Sequence, residues 1–175
     1  MAIILFIPFF LIRFPYLAHF SINAVSRAAY FAPMEGKEKI AYVIYQISNL
    51  GLFLFSCLIG IKFDFSALFY MGVAIYLLGL TLCAMSMRDF AKPNASGMNE
   101  TGLYRYSRNP MYMAYFICFL GIALLTQSLI FFLILLIFQL SGHWIILAEE
   151  RWCLSHFGNS YQNYKKQVRR YFLIL

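Results

Sequence analysis

Leu124-Leu125-Thr126-Gln127-Ser128-Leu129-Ile130 holds three polar residues between two long apolar runs, about Pro110–Leu125 and Leu129–Ala148. Inside a bilayer every backbone N–H and C=O must be satisfied by the protein itself, so apolar runs of this kind are helices. Three residues leave no room for anything but a turn, so the two helices form a tight antiparallel hairpin. The start of one and the end of the other then lie on the same side. Asn109-Pro110-Met111-Tyr112 is thereby brought beside Glu149-Glu150. The first run is short for a full crossing, which takes about 20 residues.

Outward from the hairpin the chain keeps the same character. Of its 175 residues, 62% are hydrophobic and 12% charged, which excludes an ordinary soluble domain. Mean hydropathy is +0.71. Three further apolar runs precede the hairpin, at about Ala2–Val25, Ile40–Ile61 and Ala67–Met87. No strand-like alternation and no internal repeat interrupts them. The expected fold is an all-α membrane protein of about five transmembrane helices with a C-terminal amphipathic helix. Residues 1–175 read as a single domain, with three spans in 1–87 and a loop, the hairpin and the last helix in 88–175. The N-terminus lacks the basic region of a signal peptide and reads as a retained span. Cys57, Cys83, Cys118 and Cys153 fit no metal or redox spacing, so no metal is expected.

The net charge of +7 points to loops facing anionic lipid, not to nucleic acid. With five spans, all the basic residues except Lys62 and Arg13 fall on one side, which the positive-inside rule makes cytoplasmic. Within the first span Pro8 and Pro15 predict a kink, and Arg13 should snorkel or face the protein interior, a snorkelling side chain being a simpler reading than a substrate contact. Gln46, Ser48 and Asn49 read as contacts between helices, and Gly72 and Gly79 as points of close helix approach. Lys62–Ser66 is a short turn. Arg88–Thr101, with Pro93, Asn94, Ser96 and Gly97, is a loop able to fold over something. Beyond Glu149, Trp152, Phe157, Tyr161, Tyr164, Val168 and Tyr171 recur among basic residues. This spacing predicts an interfacial amphipathic tail reaching Leu175, broken at Gly158.

Chemistry concentrates in Gly102-Leu103-Tyr104-Arg105-Tyr106-Ser107-Arg108-Asn109-Pro110-Met111-Tyr112. Taken alone, such a cluster serves equally as an interfacial aromatic and basic anchor. Asn109-Pro110, however, supplies a capping amide and a first-turn proline at a helix N-terminus that can receive a carboxylate. Gly102 permits close backbone approach. Glu149 and Glu150 sit at the unfavourable end of their helix dipole, which calls for an ion pair with Arg151 or the Arg105–Arg108 cluster, or for a ligand. The hairpin makes of both a cleft with helix N–H donors, carboxylates and tyrosine faces. Such a cleft is suited to a zwitterion carrying a sulfonium.

Thr101-Gly102-Leu103-Tyr104, Arg108-Asn109-Pro110-Met111-Tyr112, Glu149-Glu150, Phe157-Gly158, Tyr161, Tyr164 and Val168 together resemble the membrane methyltransferases of the isoprenylcysteine carboxyl methyltransferase and phospholipid N-methyltransferase group. The resemblance covers roughly the last 80 residues. It implies S-adenosylmethionine as cofactor, S-adenosylhomocysteine as product and a lipophilic small-molecule, lipid or prenylated acceptor arriving from the bilayer. Carried over by position, Tyr104, Asn109, Pro110, Met111, Tyr112 and Glu149 are cofactor contacts, joined by Met98, Asn99 and Glu150. The family usually has His where this chain has Asn109, which removes a titrating group there. No Arg stands in His143-Trp144-Ile145-Ile146-Leu147, where the eukaryotic isoprenylcysteine enzymes hold their substrate carboxylate.

A carboxylate or thiolate acceptor needs no base, whereas an amine must lose a proton. His143 and Arg108 are the candidate catalytic residues, His143 as that base. The leading expectation is methylation of a lipophilic carboxylate at the cytoplasmic face of a prokaryotic inner membrane. Phosphatidylethanolamine N-methylation, a sterol-type reductase and a non-catalytic membrane scaffold are the rival readings.

Overall fold

The computed structural model describes residues 1–172, and all its regular elements are helical. Helix α1 runs Ala2–Phe20, α2 Ile22–Ala29, α3 Lys37–Leu58, α4 Ala67–Phe90, α5 Pro110–Thr126, α6 Leu129–Phe157 and α7 Asn159–Gln167. Helices α1, α3, α4 and α6 are long and apolar enough to cross a membrane, and α5 is a shorter apolar helix of 17 residues. The protein is therefore an all-α membrane protein, as the hydropathy pattern requires.

The first span stops at Phe20, not at Val25. Ser21 is extended (φ −165°, ψ 119°) and its hydroxyl accepts from the Ala24 N–H at 3.3 Å, starting a separate helix. A serine N-cap here wins over apolar continuity. The expected disturbance by proline takes the form of a π turn, Ile12–Tyr16, around Pro15, which has no N–H to donate.

The hairpin is present, with Gln127 in the left-handed region (φ 49°) and the Ser128 hydroxyl capping the Phe131 N–H at 3.3 Å. Its two arms nevertheless pack chiefly on other helices, α5 against α4 and α6 against α3. Glycines decide the first pairing. A Cβ on Gly79 would run into the Cys118 backbone, and one on Gly121 into the backbone of Tyr76 at 2.5 Å. A Cβ on Gly72 would stand 3.0 Å from the Leu125 nitrogen. The backbones touch, as small residues permit in membrane helices. Between the pairs lies an aromatic core in which Phe9 meets Tyr115 at 5.1 Å and Tyr45 stacks on Phe138 at 4.5 Å.

Two polar expectations are corrected. Gln46 donates to the Tyr42 hydroxyl at 2.8 Å and Ser48 to the Tyr45 carbonyl at 3.0 Å, so both bond within their own helix. Helix α6 also continues through Glu149-Glu150 to Phe157, past the expected span end at Ala148. Gly158 (φ 56°) does break the tail, and α7 follows. The apolar stripe of α7 is turned onto protein: Tyr161 and Tyr164 pack with Met98, Cys153, Phe157 and Val168. The end of the expected tail, 173–175, lies outside the described residues.

Candidate functional site

Arg13 of α1, α2 and the loop after it, Tyr45 of α3, the ends of α4 and α6, the tyrosines of α7 and the start of α5 with the loop before it line a cavity of about 540 Å³. That is within the ~300–1,000 Å³ usual for small-molecule sites. The loop is built from its own polar residues. The Asn94 side chain accepts from the Ser96 and Met98 N–H groups at 3.0 and 2.9 Å and donates to Glu100 at 2.7 Å, closing the turn. Asn99 donates to the carbonyls of Asp89 and Phe90 at 3.1 and 2.9 Å, tying the loop to the end of α4. Buried Asp89 accepts the Leu103 N–H at 2.9 Å. Gly102 has φ +60°, and a Cβ there would collide with the Asp89 carboxylate. Close approach at this glycine is thus to Asp89.

That approach sets Tyr104 in a 3₁₀ turn, Gly102–Arg105, with its ring in the cavity wall. Its carbonyl accepts the Tyr164 hydroxyl at 2.6 Å. Its own hydroxyl is buried with no partner among the described residues. Burial pushes the phenol well above its ordinary pKa, so it remains a neutral donor.

Pro110 is buried at the first position of α5 and sets where the helix begins; it packs without lining the cavity. Asn109 lines the cavity but does not cap the helix. Its side chain turns to the Arg170 carbonyl at 3.4 Å, which leaves the first N–H groups of α5 uncapped by a side chain. Met111 and Tyr112 follow on the cavity wall, and the Tyr112 hydroxyl donates to Glu149 Oε1 at 2.8 Å. The start and end of the hairpin meet as the sequence demands.

The adjacent glutamates divide. Glu150 is bonded through Oε1 to Arg108 Nη2 at 2.9 Å and Nε at 3.1 Å. It is also held by Arg170, Nε to Oε1 and Nη2 to Oε2, both at 2.9 Å. Arg108 spends its remaining donors on the carbonyls of Val168 (2.6 Å) and Lys165 (3.1 Å). With Arg108 and Glu150 8% and 5% exposed, the cluster is a buried clamp between α6, the α5 start and the tail. Arg108, Glu149 and Glu150 all line the cavity, but Glu149 pairs with no cation among the described residues.

His143 lies outside this cavity, its Nδ1 2.7 Å from the Tyr171 hydroxyl. The cavity instead contains two residues not singled out for it, Arg13 and Arg27. Arg13 faces the interior, donating to the Tyr115 hydroxyl and to the Ala28 carbonyl at 2.8 Å. An ionisable residue inside a span is a functional candidate by default, and that signal was present in the sequence. Arg27 donates to the Phe90 carbonyl at 2.7 Å and lies over the Phe90 ring at 4.6 Å. Burial lowers its pKa somewhat from the ordinary guanidinium value.

The family described as phospholipid methyltransferase matches residues 49–160, from the middle of α3 to the first turn of α7. No curated protein and no solved structure matches the chain.

Proposed function

This chain belongs to the phospholipid methyltransferase family, and from that premise we propose that it methylates a lipophilic acceptor using S-adenosylmethionine bound in the cavity. The observation that carries the reading is Glu149, a cavity carboxylate with no paired cation among the described residues while its neighbour Glu150 is paired with three, Arg108, Arg170 and Lys165. The donor set fits the cofactor. Glu149 would take its amino group or ribose hydroxyls, and the unpartnered Tyr104 hydroxyl a polar atom. The uncapped start of α5 beside Asn109, Met111 and Tyr112 would receive its carboxylate. Met98 and Asn99 complete the loop side of the cavity. Pro110 acts by fixing the helix start, and Glu150 and Arg108 by holding the site together.

When bound, the cofactor supplies a methyl group on a sulfonium, which an acceptor takes by in-line displacement. The protein's part is alignment and exclusion of water. Tyr45, Tyr112 and Tyr115 wall the cavity with rings whose faces favour a cation. His143 is directed to Tyr171 and not to the cavity, which favours an acceptor that needs no base: a carboxylate, methylated on oxygen. Phosphatidylethanolamine N-methylation is the second reading. It is favoured by the family's name, and Glu149 is then the group placed to take the amine proton. We read the cavity as cytoplasmic, a reading supported by the basic residues that a five-span topology gathers on its side, and the membrane as a prokaryotic inner one.

The test is calorimetric titration of S-adenosylmethionine and S-adenosylhomocysteine into the detergent-solubilised and nanodisc-embedded protein. Micromolar binding that Glu149→Gln weakens supports the reading. Absence of binding by folded protein in both media overturns it and leaves an interfacial scaffold.

A further inference from the structure

The cavity has two electrical poles joined by a pair of tyrosines. Tyr112 bonds Glu149 at 2.8 Å. One helical turn on, Tyr115 accepts from Arg13, and the two rings are 6.5 Å apart. Arg13 also holds the carbonyl of Ala28, the residue next to Arg27, so the cationic pole gathers where α1 and α2 meet the cavity. Neither guanidinium has a carboxylate within ion-pair distance among the described residues. Of the five N–H donors on each, Arg13 spends two and Arg27 one on protein atoms. Both residues precede the stretch matched by the family.

A charged side chain at membrane depth is costly unless something compensates it. Tyr115 and a carbonyl compensate Arg13 in part, and Phe90 compensates Arg27 in part. Their remaining donors are open to an anion that enters the cavity. Glu149 faces the same cavity but makes no ion pair with either guanidinium, its hydrogen bond running to Tyr112. The walls between the poles are aromatic and apolar, with Phe31, Tyr45 and Phe90 among them, so what reaches Arg13 and Arg27 is an anion on an apolar body.

We propose that Arg13 and Arg27 form the acceptor's anion site, holding an oxyanion, carboxylate or phosphate, carried on a hydrocarbon chain. The assignment rests on the methyltransferase reading of the same cavity and adds the class of acceptor it takes. The oxyanion is gripped by planar forks that favour two-point contact.

The test compares single-chain amphiphiles of one length that differ in headgroup: dodecanoate, dodecyl phosphate, dodecanol and dodecylamine. Each is titrated by calorimetry into the full-length protein in a maltoside detergent, with S-adenosylhomocysteine in a parallel cell. Dodecanoate or dodecyl phosphate should bind roughly tenfold or more tighter than dodecanol. Dodecylamine should gain no such advantage. Whichever of the two anions binds better identifies the source of the oxyanion. Arg27→Gln should erase most of the preference, Arg13→Lys, which keeps the charge and loses the fork, should reduce it, and both should leave the S-adenosylhomocysteine affinity intact. Equal binding of all headgroups, or a preference for the amine, overturns the proposal. So does a loss of S-adenosylhomocysteine affinity in Arg27→Gln, because the guanidinium would then serve the cofactor. Wild type that fails to bind S-adenosylhomocysteine strikes the cofactor reading, and the headgroup comparison still decides the anion site.

Discussion

Tyr112 and Glu149 are joined by a 2.8 Å hydrogen bond that runs from the first turn of α5 to the far end of α6. The bond orients the carboxyl group in the cavity wall, with no cation paired to it among the described residues. Glu149→Gln keeps the shape and removes the charge. It should lower affinity for S-adenosylhomocysteine by roughly tenfold or more, the loss expected for a charge-assisted contact. Tyr112→Phe, which frees the carboxylate without discharging it, should cost a few-fold at most. Calorimetric titration of the two variants separates the contributions, and equal losses would count against Glu149 as the direct contact.

Glu150 should behave in the opposite way. Its side chain and that of Arg108 are almost fully buried and Arg170 adds a second cation, so removing the acid strands two guanidiniums. Glu150→Gln should destabilise the protein by about 3–5 kcal/mol, as breaking a buried pair does. It should reduce binding only through lost folding. Thermal unfolding followed by circular dichroism should place Glu150→Gln well below Glu149→Gln, and Arg108→Gln close to it. Since the two residues share one interaction, the double variant should lose much less than the sum of the single losses.

That two adjacent glutamates have such different duties was not legible in the sequence. Neighbours on a helix point about 100° apart, so one of them must face away from any given partner. Which one does so depends on Arg170, brought back by a tail that no local pattern foretells. What could be read was the meeting of Tyr112 with Glu149, because three polar residues between apolar runs allow one topology. Close helix approach was legible too, since Gly72 and Gly79 stand where α5 touches α4. Arg13 was open between a snorkelling and an interior placement, because hydropathy does not show that the Ser21 cap ends α1 at Phe20 and brings the Ala28 carbonyl of α2 within its reach. The tail's amphipathic stripe was seen, but lipid and a protein loop satisfy it equally well, and here the loop around Met98 takes it.

Two left-handed glycines separate site geometry from backbone strain. Gly102 (φ +60°) would drive a Cβ into Asp89, whereas Gly158 (φ +56°) has nothing within 4 Å of that position. Alanine at either site carries the conformational cost of a positive-φ backbone, about 1–3 kcal/mol. Gly102→Ala must in addition push Asp89 away from the Leu103 N–H and so move Tyr104. S-adenosylhomocysteine binding should therefore fall sharply in Gly102→Ala and stay near wild type in Gly158→Ala. Both variants should drop in unfolding temperature from the backbone term, and Gly102→Ala should drop further because Asp89 is displaced. Comparable binding in the two would mean that the loop does not set the site.

Tyr104 carries a prediction in which stability and binding change in opposite directions. Its hydroxyl is buried without a partner, which costs the ligand-free protein about 1–3 kcal/mol. Tyr104→Phe should therefore raise the unfolding temperature of the ligand-free protein while weakening S-adenosylhomocysteine, because the donor that a ligand would satisfy is gone. The same residue shapes the alkaline limb of stability. Burial holds the folded phenol's pKa well above its ordinary value of 10.0, so above pH 10 the unfolded chain releases a proton that the folded chain retains. The folded state then binds more protons, and stability falls as pH rises. Its slope approaches 1.4 kcal/mol per pH unit for each such tyrosine, roughly the worth of one pKa unit. Tyr161, Tyr164 and Tyr171 are shifted upward by burial as well, so Tyr104→Phe should reduce the slope without abolishing it. Unfolding measured from pH 8 to 11.5, a window set by the ordinary tyrosine value, checks both parts. An unchanged alkaline slope in Tyr104→Phe would mean that the hydroxyl reaches water in the folded protein, and with it the case for an unsatisfied donor in the cavity would be lost.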